Sequence, residues 1–185
     1  MARTEGTDLG RRNLLRGRLS DLRDARLLRP PWAPEQSVAE KCTGCGDCVG
    51  ACPEAILTAD PDGHPYVVFS DSACTFCGRC AEACEADVFT LLPEDPNQRA
   101  ATGFSHVVRI EASCLMRAGV ECRLCADHCD TQALRFDYRI RPAGGITLDA
   151  GACTGCGACI APCPAGAIAI EAATAQPAMS MEAAS

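Results

Sequence analysis

Sixteen of the 185 residues are cysteines, and they fall into four groups of four along the chain. Three groups have the spacing C-x2-C-x2-C-x3-C, whereas the third has seven residues instead of two in its first gap. We number them motifs 1 to 4: Cys42, Cys45, Cys48, Cys52; Cys74, Cys77, Cys80, Cys84; Cys114, Cys122, Cys125, Cys129; and Cys153, Cys156, Cys159, Cys163. Structural zinc sites pair two separated C-x2-C units, while close triplets followed by a fourth cysteine are typical of iron–sulfur proteins. The motifs therefore predict four 4Fe-4S clusters, with 4Fe-4S favoured at the irregular motif 3 as well.

The spacing also predicts which cysteines share a cluster. In such motifs three thiolates lie on a loop around one cubane, and the fourth follows a short helix that carries it to the neighbouring cluster. Applied to both pairs of motifs, this rule predicts four ligand sets: set A (Cys42, Cys45, Cys48, Cys84), set B (Cys74, Cys77, Cys80, Cys52), set C (Cys114, Cys122, Cys125, Cys163) and set D (Cys153, Cys156, Cys159, Cys129).

A cysteine content of about 9% would suit a disulfide framework in a small secreted protein. That interpretation needs an export signal, but Arg or Asp interrupts every hydrophobic run up to Leu28. No stretch approaches the roughly 20 apolar residues of a membrane helix. We therefore predict a reducing, cytoplasmic location and no membrane span.

Charge is unevenly placed along the chain. Residues 1–29 carry eight Arg and four acidic residues, a net charge of +4, whereas residues 30–185 carry a net charge of −11. An acidic body favours electrostatic docking to redox partners and argues against nucleic acid. In the basic head, Leu15, Leu19 and Leu22 have the spacing of one helical face, which predicts a short amphipathic helix. A solvated helix without a partner remains the alternative for this segment.

The region from residue 41 repeats one pattern twice: cysteine motif, short strand, turn, short strand, cysteine motif. The predicted hairpins pair residues 56–59 with 66–69 and residues 133–138 with 146–148, across turns rich in Pro, Gly and Asp. The predicted fold class is α+β, with two tandem bacterial-ferredoxin-like modules of short helices and β-hairpins around four clusters. The predicted segments are a helical, basic N-terminal extension (1–40), the first two-cluster module (41–92), a linker (93–103), the second two-cluster module (104–170) and a disordered tail (171–185).

Other side chains offer little chemistry. Four cysteines saturate each cubane, so His64, His106 and His128 are predicted at surface or turn positions, with His128 beside Cys129 as a candidate for tuning a potential. The sequence contains no nucleophile elbow, no dinucleotide-binding G-x-G-x-x-G and no cysteine outside the four motifs. We predict an electron-transfer or accessory protein with no substrate site of its own.

The paired motifs resemble the bacterial two-cluster ferredoxins over residues 41–170. Four motifs, the wide gap after Cys114, the run Arg11 to Gly17 and the tetrapeptide Arg29 to Trp32 together resemble the NapF family, the ferredoxin-type proteins of periplasmic nitrate reductase systems. This resemblance implies a cytoplasmic protein that contacts the precursor of the catalytic nitrate reductase subunit before its export, with docking through residues 11–32. It also implies delivery of clusters or electrons to that precursor.

Two alternatives accompany this interpretation. Arg11 and Arg12 resemble a twin-arginine export signal, but such a signal needs an apolar stretch after the pair, and charged residues follow here. A plain electron-transfer ferredoxin, or a redox subunit of another oxidoreductase, would carry the same clusters. Midpoint potentials and oligomeric state are not encoded in these patterns, because potentials depend on hydrogen bonds to sulfur and on solvent exposure.

Overall fold

The computed structural model of the chain describes residues 27–172. The predictions made for residues 1–26, including the leucine stripe and the arginine pair, and for residues 173–185 lie outside this part. The elements in chain order are α1 (Glu35–Lys41), α2 (Asp47–Gly50), β1 (Leu57–Ala59), β2 (Pro65–Val67), α3 (Arg79–Glu82), α4 (Pro96–Gly103), β3 (His106–Ile110), a 3-10 helix (Leu115–Ala118), α5 (Leu124–Asp127), β4 (Leu134–Asp137), β5 (Gly145–Leu148) and β6 (Ile168–Ala172). Short helices and small sheets make this an α+β protein.

The six described strands form three antiparallel pairs. β1 pairs with β2 and β4 with β5 as hairpins, at the two places where the sequence predicts them. Asp60 closes the first turn, because its carboxylate accepts hydrogen bonds from the backbone N–H of Asp62 and of His64. The third pair, β3 with β6, joins the two ends of the second module and was not predicted. β6 runs to Ala172, two residues past the predicted end of the second module.

In motifs 1, 2 and 3 a helix of one turn contains the third cysteine and leads to the fourth, as predicted; these helices are α2, α3 and α5, whereas motif 4 has only turns at this place. Gly46 and Gly78 begin the first two of them in the left-handed region, with φ of 80° and 84°. Glycine adopts this conformation without steric cost, which allows the cysteine loop to turn directly into a helix. Within residues 27–172 no helix has the length and apolar character needed to cross a membrane.

Residues 28–41 pack on the first module. The carbonyl of Leu28 accepts a hydrogen bond from the N–H of Val67 on β2. Val38 of α1 is fully buried, and Trp32 is only 6% exposed. Leu28, Trp32 and Val38 thus supply apolar surface to the first module, which a domain of this size needs.

The predicted linker carries a helix. Asp95 caps α4 by accepting a hydrogen bond from the N–H of Asn97, and Pro96 occupies the first turn. From this helix Arg99 donates to the carbonyl of Cys77, and the carbonyl of Gly103 accepts from the N–H of Trp32. Composition predicts a polar linker over residues 93–103. The segment instead forms a capped helix, and these contacts attach it to the first module.

The two modules meet at motifs 2 and 4. The backbone N–H of Cys74 donates a hydrogen bond of 2.8 Å to the carbonyl oxygen of Cys156. Ile160 packs against the apolar cores of both modules. A Cβ placed at Gly157 would overlap the ring of Phe69, so the absence of a side chain at Gly157 permits close contact between the modules.

Candidate iron–sulfur sites

The structure brings the cysteines of sets A, B and D together around three cavities. Each cavity is lined by all four cysteines of one set. In each case the fourth cysteine comes from the partner motif: Cys84 at set A, Cys52 at set B and Cys129 at set D. At these three cavities the structure therefore brings together cysteines from both motifs of a pair.

Set C is assembled around a local insertion. Cys114, Cys122 and Cys163 lie close enough to Cys125 for their charges to act on its thiol. The first four of the seven residues after Cys114 form the 3-10 helix, which Gly119 ends in a left-handed conformation with φ of 77°. This compact turn returns the chain to Cys122, so the wider gap still places both cysteines beside Cys125.

The buried thiols are poorly suited to remain without metal. Burial, together with repulsion from neighbouring cysteines, raises the pKa of one or more thiols in each set: to about 11 for Cys48 and Cys125, and to about 12 for Cys74, Cys80 and Cys159. Thiolates converging in an apolar site need positive charge to offset desolvation and mutual repulsion. Iron supplies that charge, and binding deprotonates the thiols. The donor chemistry of the four sets thus fits iron–sulfur clusters.

The spacing of the cysteines favours a cluster over a single ion. Among residues 27–172, no three His, Cys, Asp or Glu side chains are placed so that they could hold one metal ion. A zinc site needs four ligand atoms at roughly 2.0–2.3 Å from one centre. Here the four cysteines of sets A, B and D each line one cavity, an arrangement that suits a cubane with four separate iron corners.

Backbone amides donate to several cysteine sulfurs. The N–H of Phe76 lies 3.4 Å from the sulfur of Cys74, and the N–H of Ala167 lies 3.2 Å from that of Cys163. The N–H of Leu134 lies 3.5 Å from the sulfur of Cys129. Because such hydrogen bonds stabilise negative charge on sulfur, they are one of the means by which a protein sets a cluster potential.

One histidine prediction was wrong. His106 is only 6% exposed, since it lies on β3 within an apolar run, and burial lowers its pKa. Its Nε2 lies 2.8 Å from the carbonyl of Gly155 in motif 4. The apolar neighbours Phe104, Val107 and Val108 were the sequence signal for burial. His128 is exposed, as predicted, and it lines the cavity of set D. Its Nδ1 lies within hydrogen-bond distance, 2.9 Å, of the carbonyl oxygen of Leu124.

Sequence reasoning missed Phe76, which stands between Cys74 and Cys77 where motifs 1 and 4 have glycine. Phe76 has a left-handed φ of 54°, and its ring packs edge-on against Trp32 and Phe104. A bulky residue in this conformation is strained, and the aromatic packing offsets the strain. Comparison of the three regular motifs with one another carries the signal, because only motif 2 lacks glycine at this position.

The description "4Fe-4S dicluster domain" belongs to the family model that matches the chain twice, over residues 41–88 and 120–167. The second match begins after Cys114, at the irregular gap of motif 3. The two dicluster domains and the sixteen cysteines fit four 4Fe-4S clusters.

The chain is also similar to curated proteins along most of its length. It is 39% identical over 170 residues to "Ferredoxin-type protein NapF" of Haemophilus influenzae, covering 87% of this chain and 93% of that protein. It is 34% identical to the Escherichia coli protein of the same name, covering 89% and 95%. It is 32% identical over 160 residues to "Methylamine utilization ferredoxin-type protein MauM" of Methylorubrum extorquens, covering 80% and 73%. From these end-to-end matches, the chain belongs to the NapF family of ferredoxin-type 4Fe-4S proteins.

Proposed function

We propose that this protein is a cytoplasmic accessory protein that assists maturation of the periplasmic nitrate reductase catalytic subunit before export, by delivering clusters or electrons. The observation that carries the proposal is the match to two NapF proteins over 93% and 95% of their lengths. The cavities of sets A, B and D are each lined by four cysteines, which supports a redox role exercised on a partner protein.

We assign the cluster ligands by the crossed sets. Sets A and B are shared between motifs 1 and 2, and sets C and D between motifs 3 and 4. When bound, each cluster supplies one-electron redox chemistry. The chain contributes the thiolates, the amide donors to sulfur and an apolar surround that limits contact with water.

The structure changes the proposed docking element. The family resemblance implies docking through residues 11–32, but Trp32 in this segment is 6% exposed and packs against Phe76. A side chain this buried is not accessible to a partner, and it stabilises the first module instead. Docking is therefore proposed for the segment before residue 27, whose +3 net charge complements an acidic partner surface.

Deletion of residues 1–26 tests this role without removing the buried tryptophan. Under anaerobic conditions, iron content and the visible spectrum should stay unchanged, while association with the purified precursor weakens at least tenfold, about 1.4 kcal/mol. Deletion of residues 173–185, at the other end of the chain, is the matched control and should leave the affinity unaltered.

Unaltered binding after the first deletion would place recognition on the acidic modules. Absence of precursor binding by the full chain would refute the maturation role. The MauM relatives are named for methylamine utilization, which favours a second candidate, a ferredoxin or redox subunit that serves another oxidoreductase. Reduction of such an enzyme by the loaded protein, without binding to the nitrate reductase precursor, would support that candidate.

A further inference from the structure

The junction between the modules joins two cysteine loops directly. Cys74 belongs to set B and Cys156 to set D, and the 2.8 Å hydrogen bond between their backbones leaves no residue between the two loops. Phe69 and Ile160 fill the space beside this bond: Phe69 comes from the first module, and Ile160 follows Cys159 of set D and packs on both cores. This contact places set B and set D next to each other across the module boundary.

Within each module the two sets also share a core. Cys48 of set A and Cys80 of set B are buried in one apolar cluster with Ile56 and Leu57. Cys125 of set C and Cys159 of set D are buried in another with Val108 and Leu134. The first module therefore places set A beside set B, and the second places set C beside set D. We call B and D the inner sets, because they face each other across the module boundary, and A and C the outer sets.

We propose that the four clusters form one continuous electron-transfer chain in the order A, B, D, C, with the transfer between modules occurring from set B to set D at the Cys74–Cys156 contact. The inference rests on the proposed ligand sets and is independent of which partner the protein serves. It assigns the two modules a joint function, because an electron that enters at one module can leave from the other.

The transfer is a one-electron step. An external one-electron donor, such as dithionite, reduces a cluster from the 2+ to the 1+ state. In the step across the junction, the cluster at set B returns to 2+ and the cluster at set D becomes 1+. No covalent bond forms or breaks and no proton needs to move. A one-electron acceptor receives the electron at the far module, and the direction follows from the potentials of donor and acceptor.

The order can be tested by leaving two clusters at a time in the full chain. One variant keeps the clusters of sets B and D by replacing Cys42, Cys45, Cys114 and Cys122 with Ser; the matched variant keeps those of sets A and C by replacing Cys74, Cys77, Cys153 and Cys156 with Ser. Each should hold about 8 iron atoms. After dithionite reduction, electron paramagnetic resonance should show spin–spin splitting and faster relaxation for the first variant, and two independent signals for the second.

Independent signals from sets B and D, or splitting between sets A and C, would overturn the order. Iron content distinguishes this result from wrong ligand sets, because a misassigned set would lose clusters other than those targeted. The proposed maturation role is tested separately by precursor binding and does not affect either spectrum.

A second pair of variants retains all sixteen cysteines, in case the first pair does not fold. Gly157 and Gly46 follow equivalent cysteines and have φ of 84° and 80°, so Ala imposes the same backbone strain at both. A methyl group at Gly157 would overlap Phe69, whereas one at Gly46 has no atom within 4 Å. Gly157→Ala should widen the junction and remove part of the spin coupling at full iron content, and Gly46→Ala should retain it. Equal coupling in the two variants would contradict a B-to-D contact.

Discussion

The two modules close their folds by different means. In the second module, β3 and β6 pair over five residues, from His106–Ile110 to Ile168–Ala172. In the first module, the chain segments before motif 1 and after motif 2 meet through the N–H of Thr90 and the carbonyl of Trp32. Packing of Trp32 against Phe76 accompanies this contact. A ferredoxin-type module can thus be closed by a regular strand pair or by aromatic packing around a few hydrogen bonds of Trp32.

The two modules also depart from the regular cysteine motif at different places. The first module departs at motif 2, where Phe76 adopts a left-handed conformation beside the junction. The second departs at motif 3, where the 3-10 helix inserts between Cys114 and Cys122 on the far side of set D. The irregular residue in the first module serves contact between modules, while the insertion in the second reshapes an outer site. Four sets of substitutions test how far this difference extends.

The largest effect is expected from removal of the fourth cysteine of a motif, to which the two modules should respond in the same way. Cys52→Ala and Cys129→Ala remove the fourth cysteine of motifs 1 and 3, so by the crossing rule they should damage the clusters at sets B and D. Iron should fall from about 16 to about 12 atoms per chain in each variant. Mössbauer and electron paramagnetic resonance spectra of the iron-loaded proteins provide the measurement. Selective loss of the cluster at Cys42, Cys45 and Cys48 in Cys52→Ala would show that each motif serves its own cubane.

Trp32→Ala should disrupt closure of the first module alone. Removing this buried ring leaves a cavity and takes away an aromatic contact, a loss of about 3–5 kcal/mol in the free energy of unfolding. Thermal denaturation, followed by bleaching of the clusters, should show an early phase that accounts for about half of the iron. Leu91→Ala, at a nearby residue that is 96% exposed, should change stability by about 0.5 kcal/mol or less. A single late phase in Trp32→Ala would refute this difference between the modules.

Met116→Ala tests the insertion of the second module. Met116 is 8% exposed, and its sulfur accepts a hydrogen bond of 3.0 Å from the N–H of Cys122. Truncation should cost about 2–5 kcal/mol and speed iron loss from set C under a chelator, while the first module keeps its iron. Met116→Leu keeps the volume and should cost about 1.5 kcal/mol or less. If both substitutions leave chelation rates unchanged, the insertion does not hold set C.

The smallest effect is expected at Arg29, which anchors the start of the first module. Its guanidinium bonds to Glu35 at 2.7 and 2.9 Å and to the carbonyl of Pro65. The hydrogen bond from Arg29 lowers the pKa of Glu35 from its usual value. A depressed carboxylate pKa stabilises the fold above the unfolded pKa, about 4.3, and this contribution disappears as pH falls through the folded pKa.

A double-mutant cycle of Arg29→Gln and Glu35→Gln measures this pair. Because Glu35 is 67% exposed, the coupling at pH 7 should be about 1 kcal/mol or less, constant from pH 8 to about 5 and smaller below. Urea denaturation at several pH values gives the coupling. A coupling that grows as the pH falls would mean that the ionised carboxylate does not stabilise the fold.

Cysteine spacing predicted more than the cofactor, because ligand chemistry fixes local backbone geometry. The one-turn helices that lead to the fourth cysteine of motifs 1, 2 and 3, and both hairpins, follow from short-range rules and are present. The pairing of β3 with β6 was not predictable in the same way, since it joins residues about 60 positions apart whose register depends on the completed module. The burial of Trp32 and His106 likewise depends on partners remote in sequence.

The position of Trp32 has an optical consequence. It is the only tryptophan in the chain, it is buried, and it lines the cavity of set B together with Cys52 and Cys74. Iron–sulfur clusters absorb broadly across the near-ultraviolet and visible range, so a cluster at set B would accept energy from the excited indole ring at very short range. Its emission should be weak when set B is loaded and should recover when that cluster is lost. The chain therefore carries an intrinsic fluorophore that reports the state of one inner site, without a label.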